Sequence, residues 1–382
     1  MFVIGSDLFV MSPLLPLIAA DYAVPPASAA LSVTAFGLAY MFFAPFLGRL
    51  ADRIGRPRVL NCCLCVFSAA NLLTAMSGNL AWLTTMRCLA GAAAAGVSPS
   101  VYALIGSSAP RDRRATWLAI AVSGLLMSLP LGAPIGLLTA QEAGWPVVFA
   151  ALGAVGLVLV WANHLVWRDP DGASKLVAVS ARINAVAVSA HLAPTVLWST
   201  AVYAMYTYLG EGLRSLGYSA EEIAKVILVY GCGAIAGTLL GGRMADRLGA
   251  RQTSALALAW LSPCILLLRL ALDTKVFVGC AFALTSLVAQ LFFPAQQISL
   301  GSDFPASRTA ILAWNNSALF LGISLGSLIG AEAITAGGFD ASLTASAGIA
   351  IFAWIAHQRR KGSQDAGIFT QPPRPSGIQG AR

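Results

Sequence analysis

Runs of roughly twenty apolar residues follow one another along this chain with only short polar interruptions, and that succession leaves few folds open. A helix of that length crosses ~30 Å of hydrocarbon. Of 382 residues, 58% are hydrophobic and 10% charged, far from the balance of a soluble domain. Inside a bilayer no water is at hand to satisfy backbone polar groups, so a spanning segment is a helix or part of a closed barrel. The runs lack the strict apolar–polar alternation of barrel strands. The expectation is an all-α integral membrane protein whose main partner is the lipid bilayer.

The runs predict twelve transmembrane helices, numbered 1 to 12, at about 1–20, 31–47, 59–76, 80–105, 115–139, 145–167, 185–209, 222–241, 252–272, 275–298, 308–332 and 338–357. The longest polar interruption before the tail divides them into two six-helix halves, 1–168 and 185–357, joined by a linker at 169–184. Residues 358–382, rich in proline and glycine, are expected to be a disordered tail. The halves are related in sequence. Gly48-Arg49-Leu50-Ala51-Asp52-Arg53-Ile54-Gly55 returns 194 positions later as Gly242-Arg243-Met244-Ala245-Asp246-Arg247-Leu248-Gly249. Pro99, Pro110 and Arg113 return as Pro294, Pro305 and Arg308. A period this long marks a duplicated domain, here two six-helix pseudo-repeats in the same orientation. Such repeats bind substrate between them near the midplane and rock to expose it to each side in turn.

The formal net charge of +8 does not indicate nucleic acid, because the arginines lie in turns between apolar runs and not on one soluble face. Counting Lys and Arg by side, nineteen of twenty-four fall after even-numbered helices or in the linker and tail. By the positive-inside rule both termini are expected in the cytoplasm, as in a bacterial inner-membrane protein. The seven cysteines, Cys62, Cys63 and Cys65 among them, sit in apolar runs and read as small fillers. Neither a metal site nor a cofactor is expected. There is no phosphate loop, no paired catalytic carboxylates and no nucleophile with a base nearby, so an enzyme is not expected.

The Gly-x-Leu-Ala-Asp-Arg-x-Gly-Arg stretch between helices 2 and 3, with its second copy, resembles the signature loop of the major facilitator superfamily, and the likeness covers nearly the whole chain. The resemblance implies that Gly48, Asp52, Arg53, Gly55 and Arg56, with Gly242, Asp246, Arg247 and Gly249, control conformation. It implies that Asp52 docks on the helix opening near Ser307, and Asp246 on the one opening near Arg114; a helix N-terminus suits a carboxylate. Against the family, helix 1 is short by a turn or two, so a start upstream of Met1 is an expectation. In helix 5, Gly132, Pro134 and Gly136 resemble the motif of efflux members, chiefly drug:proton antiporters and sugar-efflux relatives. One residue separates Gly132 from Pro134 where the stricter pattern has none. Proline bends the helix and glycine admits a neighbour, so helix 5 is expected to close against the glycines of helix 8, Gly231, Gly233 and Gly237.

Charges inside membrane helices are candidates for function. Asp7 in helix 1 and Arg87 in helix 4 are the expected proton-coupling pair, and Arg87-x-x-x-Gly91 is similar to a family motif linked to proton transfer. A carboxylate in a helix interior is costly when charged, and a nearby arginine reverses that preference. Tyr203, Tyr206, Gln290, Trp314 and Asn315 are the expected lining of a cavity for a small organic substrate. The function these features imply is a secondary active transporter that exports a small organic or drug-like compound in exchange for protons as a monomer; the lack of a phosphate loop and of a nucleotide domain argues against ATP as the energy source. Uniport, proton-coupled import and a receptor that keeps the fold without transport are the alternatives.

Overall fold

The computed structural model describes residues 1–110, 113–166, 185–272, 274–305 and 308–365. The whole linker at 169–184, the last seventeen residues, Ser307 and the side chains of Asp52 and Arg114 lie outside the described residues. Every described element is helical. In chain order α1 is Phe2–Phe9 continued by Met11–Asp21, α2 is Leu31–Ile54, α3 is Arg56–Ala75 and α4 is Leu80–Ser108. Next, α5 runs Arg114–Met127, widens to a π-turn at Ser128–Gly132 and resumes over Ala133–Ala143; α6 is Trp145–Val166. The second half has α7 (Ala185–Tyr206, then Leu209–Ser215), α8 (Ala220–Leu248), α9 (Ala250–Ala271) and α10 (Lys275–Asp303). The stretch Arg308–Asp365 is two helices, α11 and α12, because Gly337 and Gly338 leave helical geometry.

Nine helices among the described residues are long and apolar enough to cross a membrane, and the bent pair in α1 makes a tenth. The 50-residue stretch Ala310–Arg359 counts once in that nine but folds back on itself at Gly337 and Gly338. With α7 added, the twelve expected helices are all present. The last one runs on to Asp365, into the stretch expected to be disordered tail.

The turn between α2 and α3 is far tighter than its charge suggested. Helix continues through Arg49, Asp52 and Arg53 to Ile54 and resumes at Arg56. Gly55 alone makes the reversal, at φ 99° and ψ 136°; Gly249 does the same at φ 91° and ψ 144°. Arginine, leucine and alanine are good helix formers, so charge by itself does not end a helix. The break comes where a residue without Cβ can take positive φ.

Within each half, small residues set the packing, as expected where apolar lipid offers no hydrophobic drive between helices. Gly233, Gly237 and Gly241 form one face of α8 against α10. A Cβ on them would lie 2.3, 2.2 and 2.6 Å from the carbonyl oxygens of Ala283, Leu287 and Leu291. This corrects the sequence expectation: of the α8 glycines set against α5, only Gly231 meets it, at Pro130. Spacing by four put the other two on the α10 face. Gly322, Gly326 and Gly330 likewise seat α11 on α7.

Between the halves, the described contacts gather at the end away from Gly55 and Gly249. Ser324 and Ser327 of α11 donate to the Thr34 and Ala30 carbonyls of α2, at 3.2 and 3.1 Å. Pro130 of α5 meets Gly231 of α8, and α1 meets α7 at their two bends. Toward the other end of α2, Phe42, Phe46, Leu50 and Ile54 are exposed. These contacts thus join the halves at one end.

Candidate functional site

A buried ion pair links α1 to α4. Arg87 Nη1 lies 2.6 Å from Asp7 Oδ1, with the two side chains 1% and 0% exposed. Arg87 Nη2 also reaches the Asp7 carbonyl at 3.5 Å. The pair is monodentate, and Asp7 Oδ2 and Arg87 Nε are buried without a hydrogen-bond partner among the described residues. Two charges out of water are expensive unless their remaining polar atoms are also satisfied.

Close packing holds the pair in place. Gly91, one turn beyond Arg87, lets α2 approach until a Cβ there would stand 2.2 Å from the Phe36 carbonyl oxygen. That approach lays the Phe36 ring over the guanidinium at 4.7 Å, and Phe149 of α6 flanks it at 5.5 Å. Cation–π contact of this kind offsets part of the desolvation. On the other side of Asp7, the helix 5 motif faces α1: a Cβ on Gly132 would meet Ser6 Oγ at 2.1 Å, and one on Gly136 would meet Val10 at 2.3 Å. Pro130 and Pro134 lack the amide hydrogens that would bond the carbonyls one turn back, and the chain widens to the π-turn at Ser128–Gly132 around Pro130. The motif residues therefore pack α5 on α1 beside Asp7, while Pro130 carries the contact to α8.

Tyr203 and Tyr206 come together. Their rings lie 5.9 Å apart, and Tyr206 stacks on Tyr230 of α8 at 5.4 Å and meets Phe9 of α1 edge-on at 5.9 Å. All three tyrosines are buried. Gln290, partly exposed, shares a helix face with Ser286 and Phe293. Ser286 bonds the Tyr230 carbonyl at 2.6 Å, which ties that face to the tyrosine cluster. The other two expected lining residues are elsewhere. Asn315 is fully buried against α7, where it accepts from the Thr195 hydroxyl at 2.7 Å. Trp314 is 51% exposed and has no ring or hydrogen-bond partner among the described residues. Neighbouring positions point about 100° apart on a helix, and here one faces α7 while the other is exposed.

The signature residues split between backbone and side-chain roles. Gly55 and Gly249 make the turns. Arg56 donates to the Ala103 carbonyl of α4 at 3.4 Å. A Cβ on Gly48 or Gly242 would meet nothing within 4 Å. Arg53, Arg247 and Asp246 are exposed, and Asp246 has no hydrogen bond or ion pair among the described residues. The partners expected for both carboxylates, the helix openings near Arg114 for Asp246 and near Ser307 for Asp52, fall outside the described residues.

Two groups went unnoticed in the sequence. At the crossing of α1 and α7 the Tyr206 hydroxyl donates to the Phe9 carbonyl at 2.9 Å, and the Ser12 hydroxyl donates to the Tyr206 carbonyl. Pro13 was the available signal, since it leaves the Phe9 carbonyl without its helical donor. The second group lies at the Gly249 turn, where Arg251 pairs with Asp303 of α10 at 2.6 Å and His191 of α7 stands 4.0 Å from the same carboxylate. Beside it is a cavity of about 330 Å³ lined by Arg251, Ser299, Ser302 and Asp303. It lies inside one half, at a helix end remote from the ion pair, and we do not assign substrate to it.

The chain matches the family model described as Major Facilitator Superfamily over residues 1–213 and 185–376. It is 30% identical to the MFS-type transporter YceJ of Bacillus subtilis (strain 168), over 86% of each chain. To YtbD, an MFS-type transporter of the same organism, it is 27% identical over 93% of this chain and 89% of that one. Among solved structures it is similar to a bacterial homolog to the human lysosomal transporter Spinster, in an inward-facing and occupied conformation. There the TM-score is 0.78 at 16% identity, over 97% of this chain and 96% of that one. It is also similar to a D-xylose-proton symporter, with a TM-score of 0.77 at 15% identity over 93% and 94% of the two chains.

Proposed function

The chain belongs to the major facilitator superfamily, and on that premise we propose that it exports a small organic or drug-like compound in exchange for protons. As a member it is a multi-pass membrane transporter. The observation that carries the finer reading is the Asp7–Arg87 pair: buried, monodentate, with Asp7 Oδ2 unfilled. In such a pair the carboxylate has two stable conditions. Bound to the guanidinium it is charged; parted from it in a dry site it takes a proton. A carrier that alternates between the two moves a proton across the membrane with each cycle, and the cycle itself is the rocking of the halves. Export, not import, is favoured by the Gly132, Pro134 and Gly136 motif, which lies directly against α1 beside Asp7. The aromatic face of Tyr203, Tyr206 and Tyr230 suits a neutral or amphipathic compound. We further propose that the protein works as a monomer in the cell membrane with both termini cytoplasmic, so that this conformation is closed outward.

The test is a substrate panel in proteoliposomes with an imposed pH gradient, with wild type beside Asp7→Asn. Gradient-driven transport is expected to fall by at least about tenfold in the variant while exchange at equal pH persists in part. Unchanged gradient-driven accumulation by Asp7→Asn removes the proton role. Uptake into vesicles of the opposite gradient dependence would instead favour proton-coupled import.

A further inference from the structure

The cover over Arg87 is built from both halves of the molecule. Phe36 lies against the guanidinium and is itself 1% exposed. What covers its far side is Phe320 of α11, in the other half, with ring centroids 6.4 Å apart. Phe320 is held there by stacking on Tyr40 of α2 at 3.5 Å, and Ser324, one turn on, donates to the Thr34 carbonyl. Phe149, the second ring beside Arg87, packs on Trp145 of its own helix. Of the two rings on the cation, then, Phe36 is the one braced by the opposite half. Any motion that parts α2 from α11 must strip Phe320 from Phe36, and a ring with an open side no longer holds a dry lid over a buried charge.

We propose that Phe36 is a positioning residue that ties the Asp7–Arg87 pair to the contact between the halves, so that parting α2 from α11 uncovers the pair to water. The inference rests on the proton-coupled reading and supplies its missing link. A protonation event does work only if it has different free energy in the two conformations. Phe36 makes it different, because the lid is complete in one arrangement and broken in the other. Other ionisable groups around the pair are few among the described residues. The amino terminus at Met1 lies on α1, Tyr40 one turn from Phe36 on α2, and Glu142 and His164 near the ends of α5 and α6. Arg87 is the one charged side chain bonded to Asp7.

The experiment follows the conformation itself and needs no substrate. Nitroxide labels on cysteines at Met76 and Leu216, exposed positions in opposite halves, report the spacing of the closed end in a background without the seven native cysteines. Pulsed electron resonance in liposomes between pH 5 and pH 9 then gives the closed fraction. Wild type is expected to titrate between two populations and Asp7→Asn to stay flat. Phe36→Met, which keeps volume but loses the ring, and Phe320→Met should each shrink the pH-dependent change in closed-to-open ratio by about three- to tenfold. Phe36→Tyr, which keeps the ring, should restore it. A flat wild-type curve overturns the proton-coupled reading, and the link with it. A normal wild type and flat Asp7→Asn, with Phe36→Met titrating like wild type, overturns the link alone. If Phe36→Met and Phe36→Tyr lose the titration equally, Phe36 only fills space and the proposal also fails.

Discussion

At Pro13 the loss of one amide hydrogen creates a contact between two halves of a transporter. The Phe9 carbonyl, which has no donor from its own helix, takes the Tyr206 hydroxyl of α7. Tyr206 in turn offers its own carbonyl, at the break in α7, to Ser12. Each half thus presents a backbone acceptor at a helix bend and the other supplies the hydroxyl. Losing one such bond costs about 1 kcal/mol, and leaving a buried acceptor unfilled costs somewhat more. Tyr206→Phe is therefore expected to shift the population away from this closure by roughly five- to tenfold while the protein still folds. Reaction of a cysteine at Ala30 with a maleimide added from outside the cell measures it. An unchanged reaction rate in Tyr206→Phe means the bond does not hold the closed end. Sequence singled out Tyr206 as a lining residue. It did not show that Tyr206 meets Phe9 and Ser12, because the partners sit about two hundred residues apart and the meeting depends on how far two helices bend.

Among the helices, the duplicated glycines divide by what the backbone asks of them. Gly55 and Gly249 stand at φ 99° and 91°, where a side chain is strained. Gly55→Ala is expected to cost about 1–3 kcal/mol and to lower the melting temperature in detergent. Gly48 sits in helix with open space around it, so Gly48→Ala should leave stability within about 0.5 kcal/mol. If the opposite conformation brings these helix ends together, the same substitution slows turnover, and a transport rate measured beside the melting curve separates the two effects. Equal melting of Gly55→Ala and wild type would contradict the strain argument. Sequence reading ended helix 2 at 47 and began helix 3 at 59, where the apolar runs stop. The helices instead run on through the arginines and the aspartate, and the reversal waits for Gly55, the one residue able to make it.

Over the whole molecule, the two halves meet at one end, and that arrangement is open to a direct check. Cysteines replacing Ala30 and Ser327, joined by a short thiol crosslinker, should stop transport, and a cleavable linker should restore it on reduction. A lone cysteine at Gly48 should react with an impermeant reagent from the cytoplasmic side only. Full transport by the crosslinked protein would show that the closed end need not open; labelling of Gly48→Cys from outside would invert the orientation. Twelve helices, their duplication and their membrane setting were determined by the sequence alone. These follow from the length of apolar runs, which a bilayer forces into helices, and from a repeat that survives in charge and glycine. Asp7 and Arg87 were legible in the sequence as an expected pair. Its closure under Phe36, the face that Gly233 and Gly237 present to α10 and the separation of Trp314 from Asn315 were not. Those depend on helix rotation, bend and close approach, which a few ångströms of packing between distant segments decide. Only the tertiary structure could place the cover of a first-half charge against a ring from the second.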